Sequence, residues 1–192
     1  MVQYNKNHKQ EDLIMKLERG INLGGYLSQC EHTEVHYQSF IGENDIVTIA
    51  KWGFDHIRVP VDYEVIENED GTVKQEGYHY IDDLVRWSEQ YGLNMIFDLH
   101  KAYGYDFNDA GDAAKNTLFT NKSIQERFVT LWKRIAQRYG EKKHVAFELL
   151  NEVVEEENAD AWNGLIEKTV GAIREITKDT IIIYGGIRWN SA

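Results

Sequence analysis

A single cysteine, Cys30, is all that this 192-residue chain contains, so it closes no disulfide within itself and offers no bridge framework from which to infer a redox compartment. The opening stretch, MVQYNKNHKQEDLIMKLERG, holds no apolar core of signal-peptide length. No later run is apolar for long enough to span a bilayer. The expectation is a chain that is cytoplasmic, or secreted with its signal peptide removed, and that has no membrane partner. Basic residues are in deficit: 21 Lys and Arg stand against 32 Asp and Glu, a formal charge of −11. Nucleic-acid phosphates reward clustered Lys and Arg, so no nucleic acid is expected as partner, and a neutral or cationic ligand suits the charge better. Linkers, low-complexity tracts and internal repeats are missing too, apart from an alternation of strand-like and helix-like periods.

What is present fits one domain. A hydrophobic content of 42% over this length is enough to bury a substantial core. Nearly continuous apolar runs at 20–23, 56–61, 94–99, 145–150 and 180–184 read as strands, of the kind buried on both faces of a parallel sheet. Amphipathic helices are predicted between them. Over 123–139, Ile124, Phe128, Leu131, Ile135 and Tyr139 share a stripe, with Ser123 and Glu126 placed as a capping box. Trp162, Leu165, Ile166, Val170, Ile173 and Ile176 form a second stripe, and helices over 44–52 and 80–91 complete the alternation.

The residues with chemistry gather at the carboxyl ends of these strands. The most informative stretch is HVAFELLNE, where an apolar strand ends on Asn151 and Glu152, a hydrogen-bonding amide beside a possible proton donor. HIRVPV and NMIFDLH carry Arg58 and His100 in the same way. Strand-end chemistry suits an open doubly wound sheet or a (β/α)8 TIM barrel. Gly24 and Gly25 follow a strand, but no G-x-G-x-x-G opens a helix there, which decides against a dinucleotide fold. Five strands are countable where a barrel has eight, so the chain is expected to supply about the first five strands of an α/β barrel.

RGINLGGYLSQ, GFDHIRVPVDYEVIE, IFDLHKAYGY, ERFVTLWKRIAQRYG, FELLNEVV and IIIYGGIRWNSA together resemble family five of the glycoside hydrolases, in the cellulase superfamily, and within it compact bacterial endo-β-1,4-glucanases. The resemblance runs from Gly20 to Ala192 in unbroken motif order. It implies a retaining hydrolase of β-linked glucans, cellulose-like or mixed-linkage, that needs no cofactor. By the same resemblance Glu152 would be the general acid/base, Asn151 would orient the sugar 2-hydroxyl, Arg58 would position the catalytic carboxylates and His100 would line the substrate cleft. The family's nucleophile belongs to the seventh strand and an aromatic platform to the eighth, so both are expected outside this chain. Residues 1–192 then correspond to the N-terminal portion of one catalytic domain, with 1–18 as a cap or barrel-floor segment. The complementary half-barrel, or a second copy, is the expected protein partner. Lys101 departs from the family, whose close members often carry a second histidine there. A β-mannanase or exo-β-1,3-glucanase is the alternative within the family, and a catalytically inactive half-barrel fragment or engineered scaffold the alternative outside it.

Other residues carry competing readings. Strand alternation puts Glu148 on the face of Leu150 and Glu152, where a buried carboxylate needs a cation, and Arg58 is the expected partner. His32 and His36 are four apart, but the pattern is H-x-E-x-H rather than H-E-x-x-H, and His100 beside Asp98 lacks the three or four convergent ligands a metal needs, so no metal is expected. Glu155, Glu156 and Glu157 read as a solvated run. Sugars stack their C–H faces on flat rings, which makes Trp189, then Tyr26, candidate platforms, with Tyr103 and Tyr105 on the same side. Asn22 and Gln29 are candidate hydroxyl contacts. Trp52, Trp87, Trp132 and Trp162 are expected in the core.

Overall fold

The computed structural model describes residues 15–190. Most of the predicted 1–18 segment lies outside the described residues. Of its end, the Lys16 carbonyl accepts from Asn94 Nδ2 (2.9 Å), and the Glu18 and Arg19 amides donate to the Asp55 carboxylate.

Five parallel strands form one sheet: β1 (Gly20–Asn22), β2 (His56–Asp62), β3 (Asn94–Lys101), β4 (Val145–Glu148) and β5 (Ile182–Ile183). They lie in chain order, β1-β2-β3-β4-β5. A doubly wound sheet reverses its strand order at a switch point, whereas a barrel adds each strand to the next, so this order is that of a barrel wall. The connecting helices are α1 (Glu34–Phe40), α2 (Glu43–Lys51), the single-turn α3 (Tyr63–Ile66), α4 (Gln75–Gln90), α5 (Lys122–Tyr139) and α6 (Ala159–Arg174).

Both faces are largely buried along β2 and β3, as expected, but they differ in character. Ile57, Val59, Val61, Met95, Phe97, Leu99, Val145 and Phe147 are all but fully buried. By period-two alternation and the registers Arg58↔Ile96 and Asp98↔Glu148, Asn22, Arg58, Asp98, His100 and Glu148 share the opposite face. One face therefore builds the core with the helices, and the other carries the charge. On the helix side Trp132 packs edge-on to Phe97 (5.9 Å) and tilted to Phe147 (5.6 Å), and its Nε1 donates to the Leu149 carbonyl at 3.1 Å. That bond ties α5 to the chain just before Asn151.

Several elements differ from expectation. The capping box of Ser123 and Glu126 does not form, because α5 starts one residue earlier and Asn121 caps it, accepting from the Ser123 amide and hydroxyl at 2.9 and 2.8 Å. α4 begins five residues before the predicted start, through Gly77, whose propensity argues against a helix. Glycine is there for space: a Cβ on Gly77 would sit 1.7 Å from the Val65 carbonyl oxygen. We expect Gly77→Ala to destabilise the fold by about 3 kcal/mol, the upper end for overpacking, because backbone cannot move aside. Urea unfolding measures this, and a loss under about 0.5 kcal/mol, the level of an ordinary surface change, would refute the close approach. Strand β5 shrinks to two residues, and α1 was unforeseen. Trp132 and Trp162 are buried and Trp87 packs partly buried against the core, but Trp52 is 69% exposed. It caps the C-terminus of α2 after Ile46 and Ile49 have filled the buried face.

Candidate active site

The carboxyl ends of β1 to β4 bring together a network centred on Arg58. Its guanidinium forks onto Glu148, Nε to Oε2 at 2.7 Å and Nη2 to Oε1 at 2.8 Å. The pairing expected from strand alternation is thus present, in the bidentate geometry that suits Arg. Nη2 also reaches Asp98 Oδ2 and Asn151 Oδ1, both at 2.9 Å, and Nη1 donates to Asn22 Oδ1 at 3.0 Å. One cation on β2 thereby holds two carboxylates and two amides from β1, β3 and the end of β4. Asn151 is fixed further by its backbone amide, which donates to the Leu99 carbonyl (3.1 Å), and by its backbone carbonyl, which accepts from Asn190 Nδ2 (3.0 Å). With Oδ1 occupied by Arg58, the Asn151 Nδ2 group remains to donate to a ligand hydroxyl. Glu152 follows directly, half-buried, and among the described residues no side chain hydrogen-bonds its carboxylate.

Asp98, fully buried, links this network to His100: Oδ2 accepts from His100 Nδ1 at 2.6 Å as well as from Arg58. Burial pushes the Asp98 pKa up to about 6; the hydrogen bond from His100 opposes the rise, the Glu148 charge adds to it, and the Arg58 charge opposes it. The other ring nitrogen, His100 Nε2, lies 2.9 Å from Gln29 Nε2, and the ring packs edge-on to Phe107. Gln29 belongs to a loop held by Asp62, a second fully buried carboxylate, which accepts from Ser28 Oγ (2.6 Å) and the Gln29 amide (3.0 Å) and faces His32 Nε2 (3.3 Å). Burial raises the Asp62 pKa, but hydrogen bonds from His32, Ser28 and Gln29 and the Lys101 charge prevail and hold it below the usual carboxylate range. Lys101 binds Asp106 at 2.8 Å and stands 3.9 Å from Asp62.

The aromatic expectations divide. Trp189 is 58% exposed, in a run of three successive left-handed residues, Arg188, Trp189 and Asn190, and the Arg188 and Trp189 amides donate to the Val154 and Val153 carbonyls, which ties the run to the segment that follows Glu152. Tyr26 is corrected: it is 2% exposed, stacked parallel to Phe40, and offers no ring face to a sugar. Tyr105 is corrected likewise, buried with its hydroxyl accepting from the Val154 amide. Tyr103 is half-buried, with the Arg127 guanidinium 3.7 Å over its ring. These rings turned inward because the loops fold over the strand ends, which sequence position alone does not reveal. Asn22 and Gln29 are both exposed, and each already spends one amide atom, on Arg58 and His100 respectively. His36 does not converge with His32, because its Nε2 faces the Gly25 and Tyr26 carbonyls. His32 instead groups with Asp62 and Glu64, ligand-type atoms within 4.8 Å, in a corner where the Lys101 ammonium supplies positive charge.

Sequence reasoning missed Asp62 and Asn190 and did not assign Asp98 to the Arg58 network. For Asp98 a signal existed, since D-x-H on a strand puts both side chains on one face. Nothing local marked the other two. Among the described residues no helix is long and apolar enough to cross a membrane.

Comparison with known proteins follows the same lines. The family model for Cellulase (glycosyl hydrolase family 5) matches residues 19–192. Cellodextrinase A of Ruminococcus flavefaciens is 45% identical over 175 residues, covering 91% of this chain and 52% of the relative. Endoglucanase C of Acetivibrio thermocellus is 44% identical over 182 residues, with 93% and 52% covered. The chain therefore spans about half the length of the curated relatives it matches. Among solved structures, Cel5A of Thermotoga maritima in complex with cellobiose superimposes with a TM-score of 0.72 at 26% identity, covering 90% of this chain and 53% of that one. The same enzyme in complex with mannotriose gives 0.73 at 25% identity, covering 91% and 53%.

Proposed function

Because the chain belongs to the cellulase family, glycosyl hydrolase family 5, we propose that it carries the acid/base half of a retaining endo-β-1,4-glucanase acting on cellulose-like or mixed-linkage β-glucan. The observation that carries the proposal is the Arg58 fork, which orders Glu148, Asp98 and Asn151 around the strand end that presents Glu152. Protonated Glu152 donates to the glycosidic oxygen while a second carboxylate, about 5 to 5.5 Å away, attacks the anomeric carbon; Glu152 then takes a proton from the water that releases the sugar. Asn151 Nδ2 donates to the 2-hydroxyl of the reacting sugar, its amide oriented by Arg58. Trp189 offers the stacking face. No step calls for a cofactor. The second carboxylate belongs to a later part of the barrel, so residues 1–192 are the N-terminal portion of one catalytic domain.

The sheet supports the same division. Among the described residues β1 and β5 each pair on one side only, and Ile181 and Tyr184, flanking β5, are exposed. Open strand edges beside apolar side chains are a template for association. The 192-residue chain on its own is expected to bind a hydrophobic dye or to associate, and to stop doing so with the complementary half-barrel. Light scattering that shows a monodisperse monomer without dye binding would count against a partial barrel. Reducing-sugar release from soluble mixed-linkage β-glucan, by the chain alone and then with that half supplied, tests the activity. Release in neither case would sink the enzyme reading in favour of an inactive half-barrel. A β-mannan is the second reading, favoured by the similarity to an enzyme solved with both cellobiose and mannotriose. Parallel assay on mannan separates the two.

A further inference from the structure

Gln29 is an exposed residue with a left-handed backbone, φ 53°, a conformation disfavoured for any residue that bears a Cβ. The loop is held there from below: Asp62, fully buried, accepts from the Ser28 hydroxyl and from the Gln29 amide. The conformation aims the Gln29 carboxamide at His100, Nε2 to Nε2 at 2.9 Å. On the far side of that ring, Asp98 Oδ2 lies 2.6 Å from Nδ1 and 2.9 Å from the Arg58 guanidinium. The Arg58 guanidinium already donates to that carboxylate oxygen, which holds it as an acceptor, so the proton between Asp98 and His100 resides on Nδ1. His100 Nε2 is then a lone pair, and the Gln29 nitrogen is its donor.

We propose that Gln29 is a positioning residue that holds His100 as the Nδ1–H tautomer and replaces it as the group facing the ligand. It presents the Gln29 Oε1 acceptor to a sugar hydroxyl in place of a ring N–H. The Asp98–His100–Gln29 chain passes polarity in one direction: the carboxylate accepts from the ring, the ring accepts from the amide, and the amide oxygen accepts from the sugar. Among the described residues no side chain or backbone group occupies Gln29 Oε1. This corner therefore selects a hydroxyl that donates, a requirement a deoxy or O-methylated sugar cannot meet. The role of the sugar rests on the glucanase reading above; the tautomer does not.

The test separates the two. With 15N-labelled histidine in the 192-residue chain, long-range proton–nitrogen correlation spectra report which ring nitrogens carry protons, and the chain's seven histidines leave His100 assignable by its loss in His100→Asn. Wild type is expected to show Nδ1 protonated and Nε2 bare. Gln29→Glu, isosteric but without a donor, is expected to leave Nε2 protonated as well. Gln29→Gly, which relieves the left-handed backbone while removing the amide, is expected to shift the Nε2 resonance toward a water-exposed value. A protonated Nε2 in wild type, or a spectrum unchanged in both variants, overturns the proposal even if the chain is inactive. In an active enzyme Gln29→Gly should raise KM about tenfold with a smaller change in kcat. An unchanged KM would show that Gln29 does not face the sugar and would overturn that half.

Discussion

Glu152→Gln should lower hydrolysis of mixed-linkage β-glucan by about 10²–10⁴-fold in whatever assembly of the wild-type chain turns over, the range that general acid–base groups supply. The amide is nearly the same size and can neither donate a transferable proton nor take one back. Because among the described residues no side chain hydrogen-bonds Glu152, its replacement breaks no internal network, and the urea midpoint should stay put. The substrate dependence is diagnostic. An aryl cellobioside with an acidic leaving group needs no protonation to form the glycosyl-enzyme, so the variant should release an initial burst of phenol and then stall. A small anionic nucleophile such as azide, which needs no base, should restart turnover. An equal loss on both substrates without azide rescue would assign Glu152 a structural role, and no loss at all would remove it from the mechanism.

Arg58→Met should cost about 3 kcal/mol of folding stability and abolish activity. Removing one partner from a buried pair leaves the other charge uncompensated, a loss of roughly 3–5 kcal/mol; the 24% exposure of the Arg58 side chain places this case at the low end. Two carboxylates, Asp98 and Glu148, are left facing each other, so part of the loss should be recovered in Arg58→Met with Glu148→Gln, measured as a double-mutant cycle. The pH dependence has a definite sign. The Asp98 carboxyl already sits above its unfolded value, at about 6, and the Arg58 charge opposes that rise. Without Arg58 the folded variant binds a proton at higher pH than wild type does, while the unfolded chains are alike. Its deficit relative to wild type should therefore shrink as pH falls from 7 toward 5. A deficit that is flat over this window would show that Arg58 does not neutralise the buried carboxylates.

The parallel βα order, the strand cores and the stripe of α5 were legible because they rest on period and chain order, which sequence states directly. Arg58 with Glu148 was legible for a related reason: alternation puts both on one face, and a buried carboxylate demands a cation. Ser123 as a cap failed on local competition, since Asn121 two residues earlier makes the same bond. Gly77 failed because its helical start depends on a carbonyl twelve residues upstream, at Val65.

By itself the sequence determined a family, a five-strand share of a barrel wall, and the residue types gathered at its rim, because periodicity and motif order survive without coordinates. Only the tertiary structure decided what those side chains do with their atoms. It buried Tyr26 and Tyr105, left Trp189 open, and spent one amide atom each of Asn22 and Gln29 on Arg58 and His100. Hydrogen bonds reach about 3 Å, and whether two groups 71 residues apart, such as Gln29 and His100, come within that reach is set by how loops close over a rigid sheet.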